Sequence, residues 1–263
     1  MNLLLPGTYI AANSPIHRLD PRLKMVTATV VMVLPFIAPS TASQVVLAAF
    51  VLTVSLLSLV PKRPLLRTLQ TVFWIGCFMF VYQAFTTPGE PVIHWRQVTA
   101  TWAGLSSGAS QVYRLCLLVI TAALLTYTTS PSQLTHGLES LLSPLSQIGL
   151  PVRELALVMT IALRFVPTMA LEISKIQKAQ RIRGIDPAGN PVKRLQSWVP
   201  MFVPIFVSAF RRADQLALAM EARGFRSARQ RTRLNQLHIS RSDYIATGIV
   251  LATTIIVWTL SRI

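Results

Sequence analysis

Apolar residues recur at three- and four-residue spacing in two stretches of the C-terminal half, and both stretches stop at the same short pattern. Val166, Met169, Ile173 and Ile176 lead into Ala179-Gln-Arg-Ile-Arg183-Gly184, and Phe206, Phe210, Ala213, Ala217 and Met220 lead into Ala219-Met-Glu-Ala-Arg223-Gly224. This spacing predicts one apolar face on each of two helices. Each glycine stands where a helix stops, because glycine reaches left-handed backbone angles cheaply, and arginine in a last turn complements the helix dipole. Two readings of the A-x-x-x-R-G repeat stay open at this point. It is a pair of ordinary helix ends, or a matched pair of arginine-tipped ends built to enter two similar receptor sites.

Elsewhere the chain is organised by long uncharged runs. Arg67 to Glu90, Arg114 to Glu139 and Asp243 to Arg262 each enclose 18 or more uncharged residues, enough for a bilayer crossing of about 20 residues. Met25 to Val60 carries no charge, but Pro35 and Pro39 divide it into two short spans, or one span and a re-entrant piece. Met1–Ile10 lacks the basic start and cleavage site of a signal peptide, so the first apolar helix is expected to remain as an anchor. Ser132 to Ile148 reads as an interfacial helix with Leu134, Leu138, Leu141 and Leu145 on one face, ended by Gly149 and Pro151.

Pro151 to Arg183 reads as one long helix, apolar from Leu155 to Leu163, interrupted at Arg164 and Pro167, then basic. Asp186 to Pro191 reads as a turn. A second long helix returns through Trp198 to Phe210, bends near Pro200 and Pro204, and becomes polar toward Arg223. Arg211 and Asp214, one turn apart, are placed to pair on its surface. Arg164, after an apolar run, must snorkel or find a partner. Trp74, Tyr82, Trp102 and Trp258 are expected at the membrane interfaces.

Composition agrees with a membrane protein: 52% of the 263 residues are hydrophobic and 13% charged, with a mean hydropathy of +0.52. Short basic loops stay cytoplasmic. Arg18, Arg22 and Lys24, then Lys62, Arg63 and Arg67, mark two such segments, and residues 131–241 hold 16 basic against six acidic residues. The segment 88–110 holds only Arg96. A cytoplasmic N-terminus, four early crossings, a large cytoplasmic portion and a last crossing to an external C-terminus place 22 of 25 basic residues inside. The expected parts are residues 1–130 as membrane region, 131–240 as cytoplasmic coupling region and 241–263 as the last transmembrane helix.

The positive balance also fits anionic lipid, particularly at Arg226, Arg229, Arg231 and Arg233. Nucleic acid is not expected, since the charges lie between hydrophobic spans rather than along a groove with aromatics. No phosphate-binding G-x-x-x-x-G-K-[ST] occurs, so the chain itself should not hydrolyse nucleotide. His17, His94, His136 and His238 are scattered, and Cys77 and Cys116 lack C-x-x-C spacing, so neither metal site nor bound cofactor is expected. The proposed spans hold no acidic residue, which argues against an intramembrane protease or proton-coupled pump. A polytopic enzyme acting on lipid or prenyl substrates would need clustered acids or histidines, and Glu139, Glu154, Glu172 and Asp186 are dispersed.

Ser14-Pro-Ile-His-Arg-Leu-Asp-Pro-Arg-Leu-Lys24 resembles the N-terminal signature of the transmembrane T component of energy-coupling factor transporters, ATP-driven importers of vitamins and transition-metal ions. Arg164-Phe-Val-Pro167 through Ala179-Gln180 to Arg183-Gly184 is similar to the family's first coupling region. Phe210-Arg-Arg212-Ala-Asp214 through Met220-Glu221-Ala222-Arg223-Gly224 is similar to the second. The family's motif is Ala-Arg-Gly, and the first copy here reads Ile182-Arg183-Gly184.

The resemblance implies an all-α, polytopic, non-catalytic subunit with about five transmembrane helices and two long cytoplasmic coupling helices, in the inner membrane of a prokaryote. It implies two ABC-type ATPases, which hold ATP and magnesium, as partners of the Ile182-Arg183-Gly184 and Ala222-Arg223-Gly224 ends. It also implies a substrate-binding membrane S component that carries the selectivity. Ala179, Gln180, Arg164, Pro167, Arg212, Asp214 and Glu221 are implied as supporting residues of the coupling helices. His17, Leu19, Asp20, Pro21 and Arg22 belong to the N-terminal signature, where Asp20 also suits the N-cap of a helix opened by Pro21.

Overall fold

Helix follows the apolar runs closely, and the breaks fall where capping or turn chemistry permits them. The computed structural model describes residues 9–10, 12–38, 40–95, 98–183, 191–225 and 240–262, without the side chains of 91–100 and 191–201. Two compact units are formed, Met1–Ser140 together with Gln236–Ile263, and Leu141–Asn235.

In the first unit, α1 (Pro21–Ile37) starts at Asp20, whose carboxylate accepts the Arg22 N–H at 2.9 Å. Pro35 lies inside α1, and the chain breaks only after Ile37, before α2 (Thr41–Leu57). At 17 residues each, these helices are about 25 Å long, somewhat short for a hydrocarbon core of about 30 Å. α3 (Lys62–Thr86) and α4 (Trp102–Thr128) are longer, and they are joined by an antiparallel hairpin of β1 (Pro91–Trp95) and β2 (Val98–Thr101). α5 (Pro131–Leu142) follows, and the helix Arg241–Arg262, numbered α8 below, returns to this unit. Val31, Leu34, Leu47, Val51, Leu117, Leu124 and Val257 interlock as its core.

α3 and α4 approach closely because Gly104 presents no side chain: a Cβ there would sit 2.7 Å from the Gln83 carbonyl oxygen and 2.8 Å from that of Ala84. Small residues let membrane helices touch through their backbones. Gly108 and Gly76 meet Phe80 and Val112 on the same interface.

Several boundaries differ from the charge-based expectation. The segment 88–110 is not an open loop: it forms the hairpin, and α4 begins at Trp102, which puts Ser106 and Arg114 inside the helix. Thr101, whose hydroxyl accepts the Gly104 N–H at 3.1 Å, caps α4 well before the first charge, and one arginine does not outweigh the helix around it. Trp74 lies at the middle of α3 rather than near an end, because α3 already begins at Lys62. The apolar run after Pro131 is α-helical to Leu142 and then tightens, ahead of Pro144, into a 3-10 helix, Ser143–Ile148, closed by left-handed Gly149.

In the second unit, α6 (Val152–Ile182) runs unbroken past Arg164 and Pro167, correcting the expected interruption; the proline removes one hydrogen bond while the rest of the ladder holds. α7 (Pro191–Ala222) likewise continues past Pro200 and Pro204. The expected turn at 186–190 and the basic cluster at 226–233 lie outside the described residues. Among the described helices α3, α4, α6 and α8 are long and apolar enough to cross a membrane. The all-α, polytopic architecture stands, with the short hairpin as its local exception.

Candidate functional site

The sequence repeat is also a structural repeat. Ile182 closes α6 and Arg183 is its C-cap; Ala222 closes α7 and Arg223 follows in the same position. The Arg183 N–H donates to the Ala179 carbonyl at 3.3 Å, and the Arg223 N–H to the Ala219 carbonyl at 3.2 Å. Both arginines are exposed, and Ile182 is 88% exposed.

The second end is resolved completely. The Phe225 N–H returns to the Met220 carbonyl at 3.0 Å and the Gly224 N–H to that of Glu221 at 2.8 Å, with Gly224 at φ 72°. This is the paired-bond helix stop that needs a left-handed residue, and it explains the glycine. Gly184 lies outside the described residues. Ala222, Glu221 and Asp214 are exposed on α7, and Ala179, Arg164 and Pro167 on α6, whereas Gln180 is buried.

α6 and α7 are tied upstream of these ends. Arg212 Nη2 donates to Glu172 Oε2 at 2.7 Å, and the Ser208 hydroxyl donates to Glu172 Oε1. Ser208 and Arg212 are one turn apart and grip the two oxygens of one carboxylate. The expected Arg211–Asp214 pair is not the one observed; the neighbouring Arg212 instead makes a salt bridge to Glu172. Arg212 points to the neighbouring helix, where a carboxylate already bonded by Ser208 is the better acceptor.

The N-terminal signature builds a second polar cluster, in the first unit. His17 Nε2 meets the Ile10 carbonyl at 3.0 Å, so that nitrogen carries the proton and Nδ1, 2.7 Å from Ser14 Oγ, accepts. Asp20, besides capping α1, donates its own N–H to Asp243 Oδ1 at 2.8 Å, while Asp243 Oδ2 accepts the Ser240 N–H at 2.7 Å. Lys24 Nζ donates to the carbonyls of His17 at 3.1 Å and Thr128 at 3.2 Å. Asp20, Lys24 and Asp243 are all buried. Pro21 opens the helix, and Leu19 and Arg22 are half-buried beside it.

Residues 12–234 match the family described as cobalt transport protein, CbiQ. The energy-coupling factor transporter transmembrane protein EcfT of Acidaminococcus fermentans is 44% identical over 246 residues, covering 93% of this chain and 91% of the relative. The proteins of that name from Thermosediminibacter oceani and Brevibacillus brevis are 45% and 42% identical, covering 93% and 96% of this chain and 94% and 96% of their own lengths. The chain belongs to this family of transporter T components.

As a T component it is a multi-pass membrane protein and a transporter subunit. Among the described residues no group of three or more His, Cys, Asp or Glu side chains is placed to hold a metal ion. The two arginine ends and the signature, named from sequence, sit in different units. Sequence reasoning missed Asp243, Lys24, Glu172 and Ser208 as partners. The only local signal was Asp243 three residues after Ser240, a capping spacing in which the later acid reaches back to the first N–H.

Proposed function

We propose that this T component is a non-catalytic lever, joining two ABC-type ATPases to a substrate-binding membrane subunit that imports a vitamin or a transition-metal ion. The observation that carries this reading is the equivalence of Arg183 and Arg223: two helices of 31 and 32 residues end in an exposed arginine at the same cap position. Two ATPases call for two plugs. A guanidinium donates several hydrogen bonds at once to a carboxylate or to backbone carbonyls in a groove. Exposed Ile182 adds an apolar contact at the first end, where the second has Ala222.

Closure of the ATP-bound dimer moves its grooves and carries both helix ends with them. The Glu172 clamp by Ser208 and Arg212 keeps α6 and α7 moving as a pair, and the rigid helices pass the displacement to the membrane partner. ATP and magnesium belong to the ATPases, and selectivity belongs to the substrate-binding subunit. The chain is oriented with its N-terminus and both arginine ends on the cytoplasmic side of the inner membrane and its C-terminus outside. The family assignment favours this reading over a membrane enzyme acting on lipid or prenyl substrates.

Co-purification of the ATPases with Arg183→Ala, Arg223→Ala and the double variant tests the plugs. Loss of one charge-assisted contact costs about 1.5–3 kcal/mol, so each single variant should retain less ATPase and the double variant least. Wild-type recovery of both ATPases by the double variant refutes the proposal.

A further inference from the structure

The first unit contains a cavity of about 330 Å³ between α1, α2, α4 and α8. Val31, Val51, Val54, Leu124 and Val250 form much of its wall, and Ile16 and Leu19 of the signature close one end. Four threonines also line it, with their hydroxyl protons committed to their own helices: Thr27 donates to the Leu23 carbonyl, Thr53 to Ala49, Thr121 to Leu117 and Thr128 to Leu124. Lys24, at the polar end, gives two of its three N–H groups to backbone carbonyls. The threonine oxygens keep acceptor lone pairs and Lys24 one N–H, but the rest of the lining is aliphatic and aromatic side chain. The interior is therefore hydrocarbon in character.

The placement of the cavity selects its occupant. On α4 the lining runs from Thr121 to Thr128 and on α1 from Lys24 to Val31, about 10 Å along each helix axis and within one leaflet of a core of about 30 Å. Its mouth is marked by Leu57 of α2 and Ile249 of α8, which line the cavity and are also 52% exposed. Leu52 and Leu56 on the same helix as Leu57, and Ile245 one turn before Ile249, are exposed as well. The opening thus lies on an apolar flank that bilayer lipid covers, not on an aqueous surface.

We propose that this cavity binds one acyl chain of a membrane phospholipid, entering from the leaflet on the N-terminal side, with the Ser14–Asp20 segment as its roof. The signature then has a role distinct from the arginine ends: it closes a lipid site as well as anchoring α1 to α8. An acyl chain fits because it is linear, wholly apolar and present at high concentration at the mouth.

The test uses the full chain in vesicles of phosphatidylethanolamine and phosphatidylglycerol doped with a phospholipid carrying a diazirine in one acyl chain. After photolysis, adducts are mapped by mass spectrometry, with and without the partner subunits of the transporter. Adducts are expected on the inward-facing Thr121, Leu124 and Val250 as well as on outward-facing Leu52 and Ile245. Ala28→Phe and the milder Ala246→Leu, which fill the cavity, should abolish the inward adducts and leave the outward ones, whose persistence also reports an intact fold. Inward adducts no more frequent than on the enclosed core residues Leu47 and Val257 would overturn the proposal. So would inward adducts unchanged in both variants, or their disappearance when the partner subunits bind, which would assign the cavity to a partner helix.

Discussion

Asp243 accepts the backbone N–H of Asp20 at 2.8 Å, across 223 residues of sequence. One carboxylate thereby fixes the starts of both the first and the last long helix of the membrane unit, since its second oxygen holds the Ser240 N–H. The bond is buried, and the alternative for the Asp20 N–H is no partner at all.

Asp243→Ala should therefore destabilise the membrane unit by about 1–3 kcal/mol through the orphaned buried donor. Asp243→Asn, which keeps an acceptor oxygen, should cost less. Thermal unfolding in detergent ranks the two; equal melting temperatures for wild type and Asp243→Ala would show that the bond carries no stability.

Gly104→Ala should loosen α3 from α4, because its Cβ would meet two backbone carbonyl oxygens that cannot rotate away. Overpacking of this kind costs about 1–3 kcal/mol. Gly76→Ala meets only a Val112 methyl at 3.2 Å and should be milder. Melting temperatures in detergent provide the comparison, with Gly104→Ala expected to melt lower than Gly76→Ala.

Glu172 and Arg212 make a charge pair that can be reversed. Glu172→Arg alone and Arg212→Glu alone should each lower ATP-dependent uptake by the assembled transporter, since each leaves like charges facing one another between α6 and α7. Combining them should recover much of the loss. Failure of the double reversal to improve on either single variant would indicate that the clamp does not couple the helices.

Orientation is testable with single cysteines in a Cys77→Ala, Cys116→Ala background. Glu90, exposed beside the hairpin, should react with an impermeant thiol reagent in intact cells as Glu90→Cys. Lys178→Cys, on the polar half of α6, should react only after the membrane is opened. The reverse pattern would place the arginine ends away from any cytoplasmic ATPase.

The sequence by itself determined the helical, membrane-embedded character of the chain, the two long helices and the position of their arginine caps. These depend on local quantities: apolar periodicity, uncharged length, and a glycine that must turn left-handed after Ala222-Arg223, as Gly224 does. Residues 12–234 carried enough of the family pattern for the resemblance to be legible in the same letters. The tertiary structure alone decided that α4 begins at Trp102, within the segment 88–110 expected to connect two spans, that Arg212 reaches Glu172, and that Asp20 and Asp243 share a bond. Those outcomes compare partners far apart in the chain, and periodicity carries no information about which distant face a side chain will meet. The acyl-sized cavity is of the same kind: no one helix encodes it, because it is the space that four helices leave between them.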